Sequence, residues 1–382
     1  YSDNKVFTYE DLKRGYFRLL SDNTISEIIP HAIFNPLDDT YNLNLKVKME
    51  DNFSIRMGGN ISSTNSNQVY FGLSYKDLNY YSKEFILDGQ LGKVYNNFQF
   101  TAKVDFPTQI PTSYRLIASI STFDYYKNDK LFSGNDNPAF NKKDERFVKI
   151  KAAVPFLSKK KAEFGLGFAH INDQYFQTNI IDFGSSKHDR SNYKLVGGSI
   201  GFGGSTLNAK QFATEGSKDL LLAQVFSGNE TYTPGTTTSE TTDYKNDNSW
   251  MQISYKNETY YKINPKFTLG SYIEALYSSK NFSENYTATI LEAGEFAPTP
   301  HSQISYNEAF RANQYLALGV KPIYNISSMF HLRGEVYGFL PIKPIERSSI
   351  NKALYGKSFS NFQYLGEISL VCRLPFGAIS AY

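Results

Sequence analysis

One string in this chain matches a catalytic motif. Gly197-Gly198-Ser199-Ile200-Gly201 satisfies G-x-S-x-G, in which a serine stands on a sharp strand-to-helix turn as an acyl-transfer nucleophile. That chemistry depends on the turn. Here Lys194, Val196, Gly198, Ile200 and Phe202 carry a strand pattern through the motif, and no helical spacing follows. In a chain with 26 glycines such a match arises by chance. An esterase acting from this segment would also need a Ser–His pair on one strand face, and none is found. The five histidines (His31, His170, His188, His301, His331) are scattered, with no H-E-x-x-H and no close pair, so no metal ligand set is expected. Cys372 is the one cysteine, which rules out a disulfide within the chain and a cysteine cluster. Without a P-loop or a dinucleotide fingerprint, no cofactor is expected, and no catalytic residue is assigned.

Charge narrows the partners. Lys+Arg is 40 against Asp+Glu 37, a balance that leaves no footprint for nucleic acid. The densest run, Lys159-Lys160-Lys161, reads as a solvated turn. A different cation stands out by its setting. Arg311 lies in Phe310-Arg311-Ala312-Asn313, a loop stretch running straight into a strand with apolar Leu316, Leu318 and Val320.

What must position such residues follows from composition and period. There are 29 Tyr and 30 Phe but one Trp, and hydrophobic residues total 41%. This is the make-up of alternating strands with aromatic girdles, not of a soluble core rich in Leu and Val. No run of about 18 apolar residues offers a transmembrane helix. The first 52 residues read as helix–strand–strand. Thr8 and Asp11 suit a capping box, Leu12, Tyr16, Leu19 and Leu20 fall at helical spacing, and strands follow over 25–34 and 40–49.

From residue 53 onward the pattern is strands only, roughly fourteen of them. Phe98, Phe100, Ala102, Val104 and Phe106 alternate with Gln99, Thr101, Lys103 and Asp105. Leu332, Gly334, Val336, Gly338 and Leu340 alternate with His331, Arg333, Glu335, Tyr337 and Phe339. An apolar face could meet a soluble core or lipid. Three features favour lipid: the number of strands, charges at mid-strand where a wet lumen tolerates them, and aromatic pairs at strand ends such as Tyr260-Tyr261. Tight connections alternate with long ones (129–145, 179–192, 232–248, 281–307, 344–361), as short turns on one rim and long loops on the other require.

A small helix–strand–strand module feeding into such a barrel resembles the last POTRA domain and barrel of BamA-like outer-membrane proteins, the bacterial surface antigen type. The resemblance rests on Gly15-Tyr16-Phe17-Arg18-Leu19-Leu20 and Ile25–Pro30 in the module, Met57–Ser63 and Phe71–Tyr75 as the first two barrel strands, Phe310–Asn313 at the place of a hydrophobic-Arg-Gly-aromatic loop motif, and Leu374-Pro375-Phe376-Gly377 near the end. Phe310 and Arg311 match that motif; Ala312 and Asn313 depart from it. Within the superfamily the pattern is most similar to the POTRA-plus-barrel tail of patatin-type phospholipases.

The resemblance implies an all-β transmembrane antiparallel barrel of about sixteen strands over 53–382, with a partial POTRA-like module over 1–52 in the periplasm of a Gram-negative bacterium. It implies a long loop folded into the lumen with Arg311 at its tip. A confined arginine needs a carboxylate, and Glu335, then Glu367, are the expected partners on the inner wall. The segment after Gly377 is short for closing strands, so strand material missing after Tyr382, or an unclosed barrel, is expected, as is a longer polypeptide with an export signal upstream. The implied function is secretion, insertion or anchoring of a polypeptide, as the translocator tail of an upstream patatin-type lipase domain. Its partners are then the outer-membrane bilayer and that polypeptide. The alternatives are an assembly factor for other barrel proteins, and a passive porin or lipid transporter. In none of these is the chain itself an enzyme.

Overall fold

The computed structural model describes residues 25–36, 40–49, 52–61, 67–78, 81–106, 108, 110–125, 140–156, 160–177, 185–238, 240–374 and 377–382. The helix expected over 12–20 lies outside them. Strands β1 (Ile25–Asn35) and β2 (Thr40–Met49) pair with each other as a separate two-stranded sheet.

Fifteen strands then form one antiparallel sheet. In chain order its first eight strands are β3 (Phe53–Asn60), β4 (Gln68–Leu78), β5 (Ser82–Gly92), β6 (Tyr95–Phe106), β7 (Thr112–Tyr125), β8 (Asn141–Phe156), β9 (Lys160–Tyr175) and β10 (Asp189–Ser205). The chain continues through β11 (Gly216–Thr233), β12 (Tyr244–Lys262), β13 (Phe267–Ser278), β14 (Gln314–Asn325) and β15 (Phe330–Pro341). A small hairpin, β16 (Ile345–Arg347) with β17 (Ala353–Tyr355), interrupts the meander before β18 (Gln363–Leu374) and β19 (Gly377–Ala381) complete it. Every neighbour in the sheet is the next strand in sequence apart from that hairpin, and the edges are β3 and β19. The G-x-S-x-G string lies within β10, flanked by strand on both sides, so Ser199 is a strand residue and not an elbow nucleophile.

Register shows what the two faces meet. Leu116, Ile150, Leu166, Gly198, Val225 and Met251 lie opposite one another across six adjacent strands, all on the outer face. Leu166 is 72% exposed and Ile150 60%, so this apolar row faces away from the protein. The other face is buried yet polar: on β15, Arg333, Glu335 and Tyr337 point inward and are at most 9% exposed, while Leu332 and Val336 point outward at 45% and 54%. A water-soluble sheet has the opposite arrangement. Apolar outside and polar inside is the pattern of a barrel standing in lipid.

Contacts that skip strands show that the sheet curls. The β10–β11 connection (206–215) reaches β15 and β18, where Arg333 donates to the Ala213 carbonyl at 2.8 Å and Arg373 to the Phe212 carbonyl at 2.8 Å. On the opposite rim Arg347 donates to the Gln177 carbonyl at 2.8 Å. The rims differ. Connections 263–266 and 326–329 are tight, and on the other rim 279–313 and 342–362 are long.

Candidate functional site

The 279–313 connection is folded inside the barrel, and its short helix is the centrepiece. Helix α1 (Tyr286–Glu292) has seven residues, of which the first six are buried. A helix this short is not stable by itself in water, so its caps and its packing hold it. Asn285 is the N-cap: its side-chain oxygen accepts from the Ala288 amide at 2.9 Å, and its amide donates to the Tyr175 hydroxyl on β9 at 2.8 Å. One side of the helix (Ala288, Leu291) packs on Tyr175 and Tyr232 of the wall. The other (Tyr286, Ile290) packs on Ile345 of the β16–β17 hairpin. Burial first and the Glu308 carboxylate second push the Tyr286 phenol up to about 12.

Glu292 ends the helix and ties it to the wall. Its carboxylate is 2.5 Å from the Lys143 ammonium on β8 and 3.1 Å from that of Lys280 at the root of the loop. Burial by itself would raise this carboxyl, but the two ammonium groups outweigh burial and hold it well below the usual carboxylate range. Lys280 also lies over the rings of Tyr193 (5.0 Å) and Trp250 (4.9 Å), inner-wall residues of β10 and β12.

The motif residues 310–313 form the returning root of this loop, immediately before β14, and not its tip. Arg311 does not pair with Glu335 or Glu367. Its guanidinium contacts the Glu295 carboxylate at 2.9 Å, donates to the Leu291 carbonyl at 2.9 Å and lies 5.1 Å from the Tyr306 ring. The reason is local geometry. Glu295 and Arg311 are bridge partners, and the chain crosses itself there through Phe296 N–H to Phe310 C=O (2.9 Å) and Ala312 N–H to Gly294 C=O (3.0 Å). A carboxylate directly opposite on a paired strand lies nearer than one on the wall. The Leu291 carbonyl is one of the orphan acceptors at the C-terminus of α1, where a cation is favoured. Arg311 thus staples the two limbs of the loop to the end of its helix.

The two carboxylates expected for Arg311 have other partners. Glu335 binds Arg333 and Tyr337 on its own strand, in an inner-wall network that also holds Tyr260 and the Lys321–Glu258 pair at 2.6 Å. Glu367 accepts from the His301 ring at 3.1 Å, so it does touch the luminal loop, at another residue.

The remaining motif residues serve the seam. Phe310 packs near Phe339 (5.7 Å) and Phe296 (6.3 Å), which belong to a cluster with Tyr315 and Tyr337. Ala312 is fully buried where loop meets wall. Asn313 closes the root, donating to the Lys280 carbonyl at 3.3 Å and accepting the Ser278 amide at 2.7 Å. No group of three or more His, Cys, Asp or Glu residues able to hold a metal occurs among the described residues.

The sequence reading missed Glu295, Glu292, Lys143 and Asn285. Asn285 is an N-cap type, but it is followed by Tyr286-Thr287-Ala288-Thr289-Ile290, mostly weak helix formers, and Glu292 stands where a basic residue would mark a helix end, so neither announced the helix. Lys143 left no signal, because its role depends on a contact 149 positions away.

Solved structures superpose on this architecture. Haemophilus ducreyi BamA lacking POTRA domains 1–3 superposes with TM-score 0.60 at 13% identity over 100% of this chain and 75% of that one. CdiB from Acinetobacter baumannii gives 0.52 at 9% identity over 98% and 64%, and CdiB from Escherichia coli 0.51 at 12% over 97% and 65%. The chain therefore spans just under two thirds of the CdiB length. At these identities the likeness shows the fold, an antiparallel barrel of the BamA and CdiB type. No family model and no curated protein matches the chain.

Proposed function

We propose that this chain is an outer-membrane barrel that moves, inserts or anchors a polypeptide, with the loop over 279–313 as a displaceable plug. The observation carrying this reading is how the plug is held. Besides apolar packing, two discrete polar latches tie it to the wall (Glu292 to Lys143, Asn285 to Tyr175), and Arg311 braces it internally, around a helix too short to stand free. The BamA-type fold supports a polypeptide substrate over a small solute. The β1–β2 hairpin is consistent with the end of a POTRA-like module over 1–52, in the periplasm. Following the sequence resemblance, the polypeptide is an upstream patatin-type lipase domain fused to this barrel; the competing substrate is other barrel proteins.

The test fixes the plug to the wall. In a Cys372→Ser background, Lys143→Cys and Glu292→Cys are joined by a short reducible bis-thiol linker. Surface exposure of the protein's own upstream polypeptide is read by protease accessibility on cells, and insertion of an unfolded barrel protein is read in liposomes. Linking should abolish one of these and reduction should restore it; which one responds distinguishes the two substrates. Both proceeding at full rate with the plug linked would overturn the proposal.

A further inference from the structure

The outer wall carries a feature that translocation does not use. Strands β8–β12 have 16–19 residues, well beyond the 9–11 that a bilayer crossing needs, and the surplus projects toward the long-loop rim. On the outer face the residue types change sharply along them. Above Val148, Phe168 and Val196 the next outward row reads Arg146, His170, Lys194, Asn229 and Asp247 across five adjacent strands. Within this collar is an open groove of about 350 Å³ lined by Lys194, Asn229, Thr231, Lys245, Asn246 and Asp247. Its size falls in the ~300–1,000 Å³ range of small-ligand clefts.

We infer that this groove binds the phosphorylated sugar headgroup of a glycolipid in the leaflet facing the long-loop rim. The inference rests on the membrane reading above. Position supports it first. Lys194 is one outward step above Val196, and Asn229 and Asp247 are two steps above Val225 and Met251. At ~7 Å per two residues, on strands tilted by ~40°, the groove sits roughly 5–10 Å above the apolar belt, at headgroup depth. Chemistry supports it second. Lys194 and Lys245 come from different strands and flank the groove, and neither has a carboxylate within ion-pair reach among the described residues. Two ammonium groups suit a phosphate. Asp247 would repel a bare anion but accept hydrogen bonds from hydroxyls, and Asn229 and Thr231 can both accept from and donate to hydroxyls. A phosphate joined to a polyhydroxylated ring satisfies both halves; a plain phosphodiester headgroup satisfies one.

Native mass spectrometry of the purified barrel in detergent with added lipid A tests this, alongside flotation with vesicles. The wild-type protein should float and should retain lipid A. Lys194→Gln/Lys245→Gln should float, keep its folded mobility on gels and bind lipid A at least tenfold more weakly. Dephosphorylated lipid A and phosphatidylglycerol should each bind at least tenfold more weakly to the wild-type protein. Asp247→Asn should weaken lipid A severalfold and, by removing a like charge, strengthen the weak binding of phosphatidylglycerol. Equal binding by the double variant, or no preference for the phosphorylated sugar, overturns the groove while leaving the barrel reading intact. Failure of the folded wild-type protein to float overturns both.

Discussion

The Arg311 guanidinium makes three contacts inside one loop, and substitutions separate them. Arg311→Ala removes the Glu295 pair, the Leu291 carbonyl bond and the Tyr306 contact together, at a side chain 11% exposed. Charge-assisted hydrogen bonds at such a site contribute about 2 kcal/mol, roughly thirtyfold in a local opening equilibrium. Hydrogen exchange over 286–313 should accelerate by that order while the barrel strands keep their protection. Arg311→Lys should recover only part, since an ammonium cannot span a carboxylate and a carbonyl as a planar fork does. Unchanged exchange in Arg311→Ala would show that the staple carries no stability. Glu292 sets the acid limit of docking. Its folded pKa is depressed, so its contribution is full above the ordinary carboxylate value near ~4 and is lost only as pH falls toward the lower folded value. Tyr286 sets the alkaline limit: its phenol is raised, so its contribution is full below ~10 and is lost toward about 12. Protease protection of the loop should therefore stay flat between pH 5 and 9. A loss of protection inside that range would mean that other groups control the plug.

At the scale of elements, α1 should depend on its cap more than most helices do. Asn285→Ala removes the oxygen that caps Ala288 and the amide that reaches Tyr175, so a cap loss of about 1 kcal/mol is joined by a broken tie to β9. Asn285→Asp keeps the cap and loses only the donor. Exchange at Ala288 should rise in the alanine variant and much less in the aspartate one; equal effects would assign the stability to the tie alone. The difference between wall and plug also explains what the sequence disclosed. Strands such as β15 were legible because Leu332 and Val336 face one medium and Arg333, Glu335 and Tyr337 another, so period two survives in the residue types. Strand lengths were less legible: along β8–β12 the outer face turns polar at Arg146, His170 and Lys194, and a polar–polar stretch gives no alternation. Helix α1 was invisible as an element because it is buried on every side, leaving no amphipathic stripe in seven residues. Arg311 was legible as a residue needing a carboxylate. Which carboxylate depended on the loop folding back on itself at Glu295, a pairing with no period to betray it.

The whole molecule makes the sharpest claim, that the exposed apolar row on its outer wall faces hydrocarbon. Leu166 is 72% exposed at the centre of the outer row that runs from Leu116 to Met251. If that face met water, Leu166→Arg would be near neutral, as exposed surface substitutions usually are. In a bilayer an arginine at mid-depth on the lipid face costs about 2–4 kcal/mol, and one near the interface about 0–1. Val196 lies one register row nearer the polar collar than Leu166, about 5 Å in depth, so Val196→Arg should cost less than Leu166→Arg. The inward face should show no depth dependence: Gly201, opposite Leu222 on the lumen side, should respond to Gly201→Arg through crowding alone. Folding into thin vesicles, followed by the heat-dependent shift in gel mobility and by denaturant titration, measures all three. The expected order is Leu166→Arg lowest, with Val196→Arg between it and wild type. Equal stability of both outer-face variants with wild type would mean that the apolar row faces something other than lipid, and the barrel would then have to be read as a subunit whose outer wall is covered by protein.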